Sequence, residues 1–408
     1  MAGGLLMRFV GIDVGAERHT IAIVDESGVV ILKATAFTED SAGYGRLLEL
    51  LGTATDCLVA MEATGHYWRN LYAALVTAGF AVALINPLRT SRFAEEELQR
   101  TKTDAIDALG IARFAAQKRP TITQLPEAAL QELRELVRLK GQVLQQLGDR
   151  VRQLHRAVDL VFPEFTRHVR TLDSELATAI LERYPTAAAL RTVSARKLAR
   201  LCYDGSHHVG EARARALIVA ARQSVGAHHG EPYQLQVRYA CEDIDLLRRR
   251  LRALEKDIEQ RLEQIEVGKL LTTIDGIGPQ TAACIIAEVG DPARFHSSRA
   301  LASYVGVVPR LHHSGKRRFS TSAKVPLGNA RLRRALWMPA LTAVQHNPWL
   351  RAYYYRLREA GKRPKVALIA VIRKLLSAVY SIAKHRRPFV LAPIFSPVAG
   401  GAVVPTAR

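Results

Sequence analysis

Residues 8–15 read RFVGIDVG, a short apolar run that ends at Asp13 and Gly15. A run of this length bounded by turn residues is the mark of a buried strand. The next stretch, HTIAIVDESGVVILKATAF (19–37), reads as two strands joined at Glu26-Ser27-Gly28, a hairpin signal. CLVAME (57–62) is a further buried strand that ends on Glu62. ATGHYWRNLYAALVTAG (63–79) opens with helix-start residues, carries a helical apolar stripe and stops at Gly79. AVALIN (81–86) is another strand, closed by Pro87, and Asp104 and Asp107 follow on a helix reaching about Gln117. Antiparallel strands come first and parallel ones later, which predicts an α/β domain over residues 1–126.

Beyond that point the pattern becomes all-α. Leu133, Val137, Leu144, Leu147, Val151, Leu154 and Val158 recur at intervals of three and four, with Lys140 interrupting one core position. Ile244, Leu247, Leu251, Leu254, Ile258 and Ile265 form a second heptad segment, with Arg261 off the pattern. Two long heptad helices suit an antiparallel hairpin or an intermolecular coiled coil within a helical region spanning 127–267. A third, helical unit (268–387) begins at LLTTIDGIGPQTAACIIAEVG. Its Gly276 and Gly278 give a helix–hairpin–helix-like turn, whose N–H groups at a helix start are a phosphate-binding arrangement. A plain helical corner is the competing reading. The tail 388–408, rich in Pro, Gly and Ala, is expected to be irregular.

Charge is the loudest global feature of the 408 residues: 58 basic against 38 acidic, net +20. From 301 to 390 there are 19 Lys/Arg and one acid, Glu359, interleaved with Trp337, Trp349, Tyr353, Tyr354 and Tyr355. Such a segment is drawn to polyanions, nucleic acid first and an acidic membrane surface second. No run of 18 apolar residues marks a spanning helix, and the apolar start leads into a strand rather than a secretory leader. Cys57, Cys202, Cys241 and Cys284 lie far apart, as expected of reduced core thiols.

Within the α/β domain the acids pose a question. Asp104 and Asp107 are three apart, on one helix face, where like charges repel. Asp13 and Glu62 end separate strands. Four carboxylates converging at the carboxyl end of the sheet are tolerable if a cation neutralises them, and all-oxygen sites suit Mg²⁺ or Mn²⁺. Two such ions about 3.5–4 Å apart clamp the attacking and leaving oxygens of a phosphodiester. Thr101, Lys102 and Thr103 stand ready to cap the helix or touch phosphate. Taken singly, each acid reads equally as a turn residue or a first-turn helix acid. GIDVG before a hairpin also opens sugar kinases and actin-like ATPases. Those need a second Asp-x-Gly phosphate loop, and neither Asp275-Gly276 nor Asp291 follows an equivalent hairpin.

GIDVG (11–15), AMEATG (60–65), RTKTDAIDA (100–108), DGIGPQTA (275–282), GVVPRLHHSG (306–315) and GNARLRRALW (328–337) occur in this order. The pattern resembles the insertion-sequence one-ten family of DEDD transposases over roughly residues 8–385. That resemblance implies a RuvC-like (ribonuclease H-type) N-terminal domain, a coiled-coil middle and a C-terminal transposase domain with a serine nucleophile. It implies bridge-RNA-guided DNA recombination by homodimers or homotetramers, with no membrane, in the cytoplasm of a bacterium or archaeon, close to the nucleoid. On this likeness Asp13, Glu62, Asp104 and Asp107 are metal-binding acids. Ser314 is the residue that attacks DNA, with Ser320 and Ser322 close by in sequence. Lys316, Arg317, Arg318, Arg331, Arg333 and Arg334 are candidate phosphate contacts. A RuvC-like endonuclease with a water nucleophile and a non-catalytic nucleic-acid-binding protein are the alternatives.

Overall fold

The computed structural model describes residues 7–98, 101, 103–308, 311–314, 317–320 and 328–390, with backbone alone at 311–314 and 317–320. The chain forms two compact units, Met1–Leu125 and Pro126–Arg408.

The first unit is mixed α/β. Its five strands are β1 (Arg8–Val14), β2 (Arg18–Val24), β3 (Val30–Thr38), β4 (Cys57–Glu62) and β5 (Ala81–Ile85), in the order β3-β2-β1-β4-β5. β1–β2 and β2–β3 are antiparallel, while β1–β4 and β4–β5 are parallel. Gly28, at a φ of 84°, turns the β2–β3 hairpin. The helices are α1 (Ser41–Leu51), α2 (Trp68–Thr77), α3 (Pro87–Glu96) and α4 (Asp104–Lys118).

Period-2 alternation divides the sheet into two faces. Val10, Ile12, Val59, Met61 and Val82 pack with Leu47, Leu71 and Leu75 of α1 and α2. Phe9, Leu58, Ala60, Ala83 and Ile85 pack with Ile111, Ala112 and Ala115 of α4. Two helices were not legible beforehand. α1 starts where the Asp40 side chain accepts from Gly43 N (2.7 Å), and α3 where Asn86 accepts from Leu88 N (2.9 Å) ahead of Pro87. The helix expected from residue 63 starts at Trp68, because residues 63–67 form a turn around Gly65 (φ 59°).

The second unit is helical. α5 (Ala128–Val161) and α11 (Glu231–Leu262) are its long members. Between them lie α6 (Phe165–His168), α7 (Glu175–Arg183), α8 (Ala187–Arg191), α9 (Ala195–Ala199) and α10 (Glu211–Arg222). α12 (Glu266–Leu271), α13 (Pro279–Val289) and α14 (Ser298–Val305) follow. A hairpin of β6 (Leu311–Ser314) and β7 (Arg317–Ser320) precedes α15 (Ala330–Ala335), α16 (Trp337–His346), α17 (Pro348–Glu359) and α18 (Pro364–His385).

Ion pairs Glu132–Arg261, Lys140–Glu255 (2.8 Å) and Arg150–Asp243 (2.9 Å) fix α5 and α11 antiparallel, with both heptad segments in one chain. Lys140, the interruption in the first heptad, is thereby paired. Leu144 departs from expectation: it is 48% exposed, and Val143 takes the seam position against Leu247 and Leu251. One apolar core surrounds the distal hairpin and α6–α10; another joins its base to α12–α18.

α18 corrects the expectation on spanning segments. It is long and apolar enough to cross a membrane, with a mean hydropathy of 1.9 over its most apolar stretch. Half of that stretch is buried, and the helix packs against α12, α14, α16 and α17, as a core helix does. Cys202 is exposed rather than a core thiol, whereas Cys57 and Cys241 are buried.

Candidate active site and nucleic-acid contacts

Three contacts orient the carboxylates of the first unit. Ile12 pairs with Met61, so Asp13 and Glu62 come next on adjacent parallel strands, at their carboxyl ends. Both follow the parity of Gly11 and Ala60 and therefore belong to the face that carries α4. Gly11 sits directly beneath α4: a Cβ there would lie 2.1 Å from Ala108 O and 2.3 Å from Ala112 N. The Arg119 guanidinium, just past the end of α4, lies over the Phe9 ring (5.7 Å). α4 thus runs antiparallel to β1, with its first turn at the end of the sheet where Asp13 and Glu62 stand.

Thr103 caps this helix, its hydroxyl accepting from Ile106 N at 3.3 Å, and Asp104 and Asp107 occupy the first turn. The helix dipole offsets part of their repulsion. Glu62 is held by α3: Thr90 Oγ1 donates to Oε1 (2.5 Å), and Thr64 Oγ1 donates to Oε2 (3.3 Å). Thr90 is 8% exposed; a lone threonine directly after a Leu-Arg pair carries no sequence signal for this role.

The register brings Asp13 and Glu62 together and the helix direction brings Asp104 and Asp107 to the same end. Among the described residues, however, no group of three or more His, Cys, Asp or Glu side chains is gathered closely enough to hold a metal ion. The donors are all hard oxygens, the chemistry Mg²⁺ or Mn²⁺ takes, so they fit the ion in kind.

In the second unit, Ser314 ends β6 at the turn of the hairpin, its backbone paired with Arg317. Arg318 pairs with His313, and Ser320 with Leu311 at the opposite end. Ser314 is therefore a tip residue and Ser320 a base residue. Lys102, Lys316 and Ser322, like the tail from 391 onward, lie outside the described residues.

Arg331 and Arg334 are exposed on α15, whereas Arg333 donates to Val305 O (2.9 Å) at the end of α14. Gly276 takes a φ of 99°, and a Cβ there would meet Ala343 Cβ at 2.8 Å and Pro339 O at 2.9 Å, so close packing against α16 explains that glycine. Gly278 is exposed at the start of α13. Gln280 just beyond it accepts from Lys140 Nζ (2.7 Å) and donates to Glu255 O (2.9 Å), tying the turn to the long hairpin.

A buried polar knot on α13, missed in the sequence reading, packs beside the start of α15. Glu288, 7% exposed in the apolar helix α13, accepts from Arg138 (3.3 Å) and Asn329 (2.8 Å). Arg134 donates to Ala287 O (2.6 Å). A single acid in an otherwise apolar helix is the one signal that marks such a residue. Asn329 also caps α15, accepting from Leu332 N (3.0 Å).

Two family models match the chain, one of them running from the first unit into α5. Residues 10–163 match a family model described as a transposase, the DEDD transposase domain of IS110 type, and residues 268–355 match one described as a transposase of the IS116/IS110/IS902 family. A protein of Streptomyces coelicolor assigned as the IS117 mini-circle transposase is 31% identical over 96% of this chain and 97% of its own length. The pilin gene-inverting protein of Moraxella bovis is 25% identical over 93% of this chain and 97% of its own. A 44.8 kDa protein of insertion element IS116 from Streptomyces clavuligerus is 26% identical over 94% and 96%.

Proposed function

Because the chain belongs to the IS116/IS110/IS902 family of transposases, we propose that it cuts and rejoins DNA with an acid-lined metal site in its first unit and a serine nucleophile in its second. The observation that carries the reading is the meeting of β1, β4 and the first turn of α4 at one end of one sheet face. The strand order β3-β2-β1-β4-β5, antiparallel then parallel, supports a RuvC-like, ribonuclease H-type domain.

Asp13, Glu62, Asp104 and Asp107 would hold a divalent ion, Mg²⁺ or Mn²⁺, which when bound supplies Lewis-acid stabilisation to phosphate oxygens. Thr90 and Thr64 orient the Glu62 carboxylate through their hydroxyls. Ser314, at a hairpin tip, gives up its hydroxyl proton and forms an Oγ–P bond as the P–O3′ bond breaks; the departing oxygen takes a proton to become a free 3′-hydroxyl. The phosphoserine link conserves the phosphodiester energy, so rejoining needs no ATP. Arg331 and Arg334 are free to meet backbone phosphate, while Arg333 secures the segment from within. Guidance by RNA and assembly as a homodimer or homotetramer belong to the same proposal.

The test traps the covalent step. Purified protein, Mg²⁺, DNA carrying the element ends and RNA transcribed from the flanking element should yield a protein–DNA adduct that maps to Ser314. Ser314→Ala should abolish the adduct. Cleavage that persists in Ser314→Ala at the wild-type rate would instead support a water nucleophile, the endonuclease reading.

A further inference from the structure

α18 carries a second feature that the cutting chemistry does not use. Two depressions, of about 660 Å³ and about 260 Å³, lie along its exposed side and share Lys374 and Ser377. They make one groove from Ala370 to His385, roughly 22 Å at the helical rise of ~1.5 Å per residue. Its cations are Arg299, Arg373, Lys374 and Arg387, and among the described residues no acid lines either depression. Aromatic rings form the rest of the chemistry. Lys374 Nζ lies over Trp349 (5.8 Å) and over Tyr353 (5.4 Å), and Trp349 faces Phe389 at 6.3 Å between ring centres.

Charge alone would mark a solvated face or a duplex-backbone contact. Cations spaced along a groove that also presents half-buried rings favour a different ligand. Bases paired in a duplex are stacked on one another and offer no face to a side chain. Unpaired bases do, and base–aromatic stacking contributes about 1–3 kcal/mol per base. An apolar peptide would leave four cations without partners. We infer that the α18 groove binds an unpaired stretch of DNA, with Arg299, Arg373 and Lys374 on phosphates and Trp349 and Phe389 as the stacking platform. The inference rests on the strand-cutting reading for the origin of unpaired DNA, yet its binding test is separate from cleavage.

The measurement is fluorescence anisotropy of the full chain with labelled oligonucleotides of one sequence: single-stranded DNA, the duplex, and single-stranded RNA. Single-stranded DNA is expected to bind about tenfold more tightly than the duplex of equal length. Arg373→Gln/Lys374→Gln, both exposed, should weaken it about tenfold and lower the log–log salt slope by about 1.4, the share of two phosphate contacts on a single strand. Lys197→Gln on α9 removes an exposed charge elsewhere and should change nothing. Trp349 fluorescence should be quenched on binding, measured against a Trp349→Phe variant, which keeps a ring. Equal or tighter duplex binding, an unaffected double variant, or RNA binding tenfold tighter than DNA would each overturn the assignment. If cleavage proves absent while single-strand binding holds, the cutting reading falls and the groove stands.

Discussion

Gly11 links fold to chemistry at the scale of one residue. Its missing side chain lets α4 rest on β1, and that contact sets where Asp104 and Asp107 stand relative to Asp13. Gly11→Ala places a methyl inside the van der Waals radius of backbone atoms, which cannot rotate away. The helix must lift, at a cost of about 1–3 kcal/mol or more. The expected outcome is a lower melting temperature together with loss of cleavage, even though no acid has been altered. Asp13→Asn is isosteric and should lose cleavage with the melting temperature kept; differential scanning calorimetry beside a cleavage assay separates the two. The α15 arginines divide in the same way. Arg331→Gln and Arg334→Gln should weaken duplex DNA binding and flatten its salt dependence, while Arg333→Gln, which loses its bond to Val305 O, should chiefly lower the melting temperature.

Elements show what pattern reading captures and where it stops. The five strands of the first unit were legible because each pairs an apolar run with a turn residue, as RFVGIDVG does; the β6–β7 hairpin, short and rich in polar and basic residues, was not. α1 and α3 were not, because their starts rest on single capping side chains, Asp40 and Asn86, with no long stripe behind them. The heptads announced two long helices but not whether they pair within one chain; ion pairs such as Lys140–Glu255, set by three-dimensional approach, decide that. The four acids stood out in the sequence because two end strands and two sit in the first turn of one helix, and the β1–β4 register sets Asp13 beside Glu62. The threonine that holds Glu62 did not, since Thr90 meets it only through folding; the same is true of Arg134, which reaches Ala287 O beside the buried Glu288. The ends of β2 and β3 carry a titration of their own. Burial pushes the Glu39 carboxyl up, but hydrogen bonds from Tyr44 (2.6 Å), His19 and Asn70 (3.1 Å) outweigh it and hold it below the usual range. A depressed carboxylate stabilises the fold above its ordinary pKa of about 4.3, and that stability drains as pH falls through the lower folded value. Hydrogen exchange at the β2 and β3 amides should accelerate as pH drops below 4, after correction for intrinsic rates, and Glu39→Gln should flatten that dependence.

Across the whole molecule, charge is divided by unit. Residues 1–125 hold 12 basic and 14 acidic side chains, net −2, so residues 126–408 carry +22. The unit with the carboxylate end of the sheet is thus the one that DNA has least electrostatic reason to approach, and the grip on DNA must come from the helical unit. A divalent ion held by the acids would reverse that local repulsion, which couples metal binding to DNA engagement through charge alone. The prediction follows from removing the charge without the metal. A chain carrying Asp13→Asn, Glu62→Gln, Asp104→Asn and Asp107→Asn should bind duplex DNA more tightly than wild type in EDTA. Added Mg²⁺ should tighten the wild type toward the variant and leave the variant unchanged beyond general screening. Filter binding over a Mg²⁺ series at constant ionic strength reads both. Weaker binding by the fourfold variant in EDTA, with circular dichroism unchanged, would mean that the carboxylates touch DNA directly, and the assignment of these four acids to a metal would fail.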